Sequence, residues 1–205
     1  MGAKTAIPTG AGSRGATDRK TVILDSACRA VERKGVRDLR VEDVAAEASV
    51  SPALVYYYFG TRDALLVETF RHSNALSATE TDRRLKPSAN VRGTLDQFLV
   101  LELTEVWAVR QNWVVWTEML GSALFDPAVS AVLAEATDAW VAQIESLIRA
   151  GQHDGSIDRA ASPADAAERL TSVLDGIGTK WMLGHMTSRR ARSLVRAAID
   201  REFDG

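Results

Sequence analysis

A carboxylate set into an apolar stripe is the most pointed chemical feature of this 205-residue chain. Leu95, Phe98, Leu99 and Val106 share one helical face, and Glu102 falls at its centre. Burying an ionised carboxylate is costly unless it is paired. Glu102 therefore implies a bound cation, an internal arginine, or a place at the partly exposed edge of a bundle. Aromatic faces attract positive charge, and all five tryptophans, at 107, 113, 116, 140 and 181, lie in the same part of the chain. Trp113, Trp116, Thr117 and Leu120 share one helical face, and Trp140 lies on the apolar stripe of a later helix. Large aromatics at helical spacing serve as core or as the flat walls of a pocket. The expected ligand-facing set is His72, Phe98, Glu102, Trp113, Trp116, Thr117, Leu120 and Trp140. His72 shares a face with Leu65 and Leu76, which equally suits a satisfied core histidine.

Other chemistries are poorly served. Glu68 and His72 are four apart and could share a metal, but no third ligand accompanies them. One cysteine, Cys28, excludes an intrachain disulfide and a Cys-rich zinc site. No Gly-rich phosphate loop, nucleophile elbow or carboxylate–histidine arrangement with a third partner occurs. An enzyme is therefore disfavoured, and no catalytic residue, metal or cofactor is expected. No apolar run approaches the ~18 residues of a membrane span, and no signal-peptide stretch is present. The expected setting is cytoplasmic, with no membrane partner.

The elements that must position these side chains read as all-α. Helical periodicity recurs and no apolar/polar alternation is sustained. Ser51-Pro52, Asp126-Pro127 and Ser162-Pro163 each pair an N-cap side chain with proline at the first helical position. Gly35, Gly60, Gly151 and Gly155 mark helix ends. About nine helices are predicted, over 17–34, 41–48, 52–59, 62–84, 89–109, 111–124, 127–151, 163–185 and 188–203. Residues 1–16 read as a flexible basic tail, carrying Lys4 and Arg14, either solubilising or reaching toward a minor groove. The expected domains are 17–62 and 63–205.

Charge divides along the same line. The chain carries a net −2, split as +3 over residues 1–62 and −5 beyond. A basic head on an acidic body points to a polyanion-binding end. Within the head, VEDVAAEASVSPALVYYYF places two short helices around a turn at Ala48-Ser49-Val50-Ser51, the helix-turn-helix arrangement whose second helix enters a major groove. Ser49 stands where such turns often place glycine. Val55 and Phe59, four apart, read as core.

The stretch from Thr21 to Phe70 resembles the DNA-binding head of the TetR family of bacterial transcriptional regulators. The likeness lies in ILDSACRAVERKG, in VEDVAAEASVSPALVYYYFGTRDALL, and in Thr61-Arg62-Asp63 opening a long helix. The resemblance implies a three-helix head on a larger helical bundle, a double-stranded operator and a homodimer. It sets Pro52, Ala53 and Leu54 against base edges, after Ser51 as cap, where small apolar groups read shape and thymine methyls. Tyr56, Tyr57 and Arg62 match phosphate-contacting positions. Glu42 occupies a position where the family often has a basic residue, and Arg40 compensates.

The body, through VVWTEMLGSALFDPAVSAVLAEATDAW and LDGIG, is more loosely similar to the choline/betaine-responsive branch of that family. By resemblance the last two helices form a four-helix interface with their mates. The expected interface residues are Leu174, Ile177, Gly178, Trp181, Leu194, Val195 and Ala198. The alternative is that these stripes pack within one chain. The resulting expectation is a repressor released from a palindromic operator by a small-molecule effector. The other reading is a regulator controlled by a protein partner or by none.

Overall fold

The structure, a computed structural model, describes residues 11–204, with side chains from Asp18 on. Among the described residues the chain is all-helical, with nine helices and no strands. They are α1 (Ala11–Lys34), α2 (Val41–Glu47), α3 (Pro52–Phe59), α4 (Arg62–Arg84), α5 (Val91–Leu101), α6 (Trp107–Ala123), α7 (Pro127–Asp154), α8 (Pro163–Met182) and α9 (Ser188–Phe203). Helix α1 takes in residues 11–16, assigned from sequence to the tail. The rest of that segment, with Lys4, lies outside the described residues. No helix among the described residues is long and apolar enough to cross a membrane.

The chain forms two compact units that part after His72, within α4. In the first, Ile23, Ala27 and Val31 of α1 bury with Val41 and Val44 of α2, Val55 and Phe59 of α3, and Leu65 and Phe70 of α4. Arg29 and Arg33 of α1 pair with Glu47, and Lys34 with Asp43, across the α1–α2 contact. Cys28 is buried in this core, where desolvation pushes its thiol up to about 12 and leaves it inert.

In the second unit α7 packs on α5, α6 and α8, and α8 on α9. Leu95 and Leu99, Ile144 and Ile148, Leu170 and Leu174, and Val195 and Ile199 form its centre. Asp126 and Ser162 cap α7 and α8 ahead of their prolines, as the sequence predicts.

One break was not predicted. The helix expected over 89–109 ends at Leu101, and α6 begins at Trp107 rather than near residue 111. Neither proline nor glycine causes this. The carbonyls freed at the break are taken instead by side chains. Thr104 Oγ1 donates to Leu101 O, Trp113 Nε1 to Glu102 O, and Arg192 Nη1 to Leu103 O. Donors supplied from elsewhere in the fold satisfy groups that would otherwise need another helical turn.

Candidate functional site

In the first unit, α2 and α3 meet at a turn whose geometry depends on Ser49. It is the only non-glycine among the described residues with a left-handed backbone, at φ +54°. Ser51 Oγ accepts from the Leu54 amide at 3.3 Å, closing the first turn of α3. Because that bond uses an acceptor lone pair, the hydroxyl proton remains available to a partner. Val55 and Phe59 face inward, while Ser51, Pro52, Ala53, Tyr56 and Tyr57 are exposed and Leu54 is half-buried. Tyr57 is 80% exposed, unusual for an aromatic with no solvent-side partner, and its ring meets Tyr58 edge-on at 5.4 Å. Arg40 is exposed at the start of α2. The outer face of α3 thus offers two phenolic hydroxyls, a serine hydroxyl and a small apolar patch.

Arg62, expected at a phosphate, is engaged within its own unit. Its Nε donates to Leu39 O at 2.8 Å, its Nη2 to Val36 O and Arg37 O, and its Nη1 to Asp63. All three guanidinium nitrogens are engaged, tying the loop after α1 to the start of α4. A planar fork matched to several carbonyls is a structural fastening.

The second unit contains a cavity of about 320 Å³ among α4, α5, α6, α7 and α8. Phe98, Trp113, Trp116 and Trp140 wall it, with Phe98 and Trp140 stacked at 5.0 Å. Glu102, at the end of α5, points its carboxylate inward and accepts only from Thr81 Oγ1, at 3.1 Å. Burial pushes its pKa up to about 7. Asp175 is exposed as a residue, yet desolvation of its carboxyl at the cavity rim raises its pKa to about 6. Asp82 is a third lining carboxylate, and no lysine, arginine or histidine lines the cavity. Ser77 Oγ is buried there without a hydrogen-bond partner. Acid groups, aromatic faces and an unused hydroxyl are the chemistry that suits a small organic cation with a polar handle.

Five of the eight expected ligand-facing residues therefore line one cavity: Phe98, Glu102, Trp113, Trp116 and Trp140. Three do not. His72 Nε2 sits 2.7 Å from Asp25 Oδ1 in the first unit, and Glu68, its suggested metal partner, pairs with Lys20. Thr117 is exposed, with its hydroxyl bonded to Trp113 O, and Leu120 is 53% exposed. Both lie on α6 but outside the cavity lining. Sequence reasoning missed Ser77, Thr81 and Asp175. They are polar positions on helices whose inward faces are marked in the sequence by apolar residues, so they gave no periodic signal.

The residues expected at an interface divide in two. Leu174, Gly178, Trp181 and Val195 are buried within their own chain. A Cβ at Gly178 would lie 2.0 Å from Trp113, and Trp181 Nε1 donates to Glu105 and Ser188. Ile177, Leu194 and Ala198 instead line an open groove on α8 and α9 together with Val173, which is 39% exposed. Arg169 and Glu202 pair at its edge.

Comparison with known proteins agrees across the chain. Residues 91–204 match the family model described as the BetI-type transcriptional repressor C-terminal domain, and residues 23–69 match that of the tetR family of bacterial regulatory proteins. A TetR-family transcriptional regulator from Rhodococcus sp. is 31% identical with a TM-score of 0.84, covering 91% of this chain and 99% of that one. A transcriptional regulator from Saccharomonospora viridis in complex with choline is 26% identical with a TM-score of 0.80, covering 91% and 98%. The transcriptional regulator BetI of Brucella anthropi is 38% identical over 74 residues, 32% of this chain, and the chain spans 38% of that relative's length. The Burkholderia ambifaria BetI aligns over 89% of this chain and 92% of its own at 24% identity.

Proposed function

The chain belongs to the TetR family of transcriptional regulators, with a BetI-type C-terminal domain, and from that premise we propose that it is a dimeric repressor released from its operator by a small organic cation. The observation that carries the ligand class is the cavity, where Glu102 and Asp175 stand among four aromatic rings with no basic group to neutralise them. Choline, held by the similar Saccharomonospora viridis protein, is the first probe.

Two copies pair through the groove of α8 and α9, burying Val173, Ile177, Leu194 and Ala198 against their mates. Two α3 helices then enter successive major grooves of a near-palindromic operator. Tyr56, Tyr57 and Arg40 hold phosphates, and Ser51, Pro52 and Ala53 face base edges. Helix α4 carries Ser77 and Thr81 of the cavity and also residues of the DNA-binding unit. Cation binding displaces α4 and alters the spacing of the heads. The affinity gained from engaging both half-sites together is then lost.

The test begins with selection of bound genomic fragments and footprinting of the best site over a salt series. The proposal expects a protected near-palindrome, affinity falling steeply with salt, and release on adding choline with quenching of tryptophan fluorescence. A footprint that persists although choline quenches the tryptophans would overturn the release mechanism. The absence of any enriched sequence would overturn the operator itself.

A further inference from the structure

We propose that the cavity is a cation–proton exchange site: an organic cation entering it displaces a proton from Glu102, and the protonated cavity accepts the cation's uncharged isostere instead. This rests on the cation-binding reading above and adds its proton balance and its selectivity rule.

The groups facing Glu102 leave little else for its charge. Helix α4 presents the Thr81 hydroxyl and Asp82, α8 presents Asp175, α6 presents Asn112, Trp113 and Trp116, and α7 presents Trp140 and Gln143. None is a base. The guanidinium that α9 sends toward this region, Arg192, donates to the Leu103 carbonyl and is not among the lining groups. Farther along Glu102's own segment, Glu105 is committed to Arg110, Ser188 and Trp181. With Glu102 and Asp175 both ionised, the empty cavity would hold two like charges between aromatic walls. Lacking a resident cation, a carboxylate in such surroundings keeps its proton. The single hydrogen bond from Thr81 opposes this but is outweighed by burial, which leaves Glu102 at about 7.

The exchange balances. The O–H bond of the Glu102 carboxylic acid breaks, the proton passes to solvent, and the carboxylate left behind pairs with the arriving ammonium. The charge inside the cavity is the same before and after. Only the organic group and its contacts with Phe98, Trp113 and Trp140 are new. A neutral isostere makes those apolar contacts with the acid form and loses them to desolvation of the carboxylate in the ionised form.

The experiment uses the full chain with choline chloride and 3,3-dimethylbutan-1-ol, its uncharged isostere. Calorimetry at pH 6.5 in two buffers of different ionisation enthalpy should show about 0.8 proton released per choline bound, and choline affinity should fall on the order of 25-fold from pH 7.5 to 5.5 while that of the alcohol rises. Glu102→Gln should lose most of the pH dependence of alcohol binding and most of the proton release on choline binding, leaving only the smaller share that Asp175 contributes. Asp175→Asn should retain most of the release. Choline binding with no proton release and a flat pH profile overturns the exchange while leaving the cation reading standing. Loss of the release in Asp175→Asn, but not in Glu102→Gln, overturns the assignment to Glu102. If neither choline nor tetramethylammonium binds at any pH, both readings fall.

Discussion

The indole Nε1 of Trp113 donates to the main-chain carbonyl of Glu102 at 2.7 Å, so one residue both walls the cavity and fixes the end of the helix that carries its acid. Trp113→Phe keeps an aromatic wall but orphans that carbonyl. Leaving a buried acceptor unpaired costs about 1–3 kcal/mol. The expected outcome is a melting temperature several degrees lower and choline affinity weakened several-fold, read by thermal melts and fluorescence quenching of the remaining tryptophans. Unchanged affinity would mean that this bond does not position Glu102.

Gly178 tests the same residue from the opposite side. A Cβ there would lie 2.0 Å from the Trp113 ring, so Gly178→Ala must push the indole into the cavity or away from Glu102. Overpacking of this kind costs about 1–3 kcal/mol. Operator affinity without ligand should change little, whereas the choline concentration needed for release should rise. A chemical-denaturation curve with a footprint titration checks both.

Arg62 separates a structural fastening from a phosphate contact. With its guanidinium engaged by Leu39, Val36 and Arg37 carbonyls, Arg62→Ala should destabilise the DNA-binding unit. The slope of log affinity against log salt should be unchanged. Removing a true phosphate contact would reduce that slope by about one. Tyr57→Phe provides the contrast, since this side chain is 80% exposed and stability should be untouched while operator affinity falls.

These cases also show what was legible in the sequence. Ser51-Pro52 and Val55/Phe59 declare the start and inner face of α3 through local rules, and the structure follows them closely. Glu102 announces itself because one charge interrupts an apolar period. The break after Leu101 was invisible because its donors come from Thr104, Trp113 and Arg192, the last 89 positions from its acceptor. Ser77 and Thr81 were equally invisible. A buried hydroxyl facing a cavity looks, in a linear sequence, like a solvent-facing one. Leu174 and Val195 were legible as apolar but not as inward, because a stripe does not say which neighbour covers it.

That division gives a paired test of the interface. Val173 is exposed in the groove and Val195 is buried. Val173→Glu should yield a folded monomer by sedimentation, with far-UV spectrum intact and operator affinity greatly reduced by loss of the second half-site. Val195→Glu should unfold the body, since an unpaired buried carboxylate costs several kcal/mol. A Val173→Glu protein that remains a dimer would place the interface elsewhere.

The last prediction concerns stability without ligand. Glu102 has a folded pKa of about 7 against an ordinary 4.5. Between these values the native state binds more protons than the unfolded one, so stability falls as pH rises. Below about pH 4.5 the group is protonated in both states and costs nothing; above about pH 7 the native state carries an unpaired charge in an apolar cavity. The penalty reached at pH 8 is about 1–3 kcal/mol, taking about 1.4 kcal/mol per pKa unit and discounting for partial solvent access. Glu102→Gln should therefore be more stable than the parent at pH 8 and nearly equal to it at pH 4.5, as measured by chemical denaturation. Choline should stabilise the parent more at pH 8 than at pH 5.5, because only the ionised carboxylate has a charge to be neutralised. A Glu102→Gln variant less stable than the parent at pH 8 would mean that the carboxylate is already paired, and the cavity would then have no need of a cation.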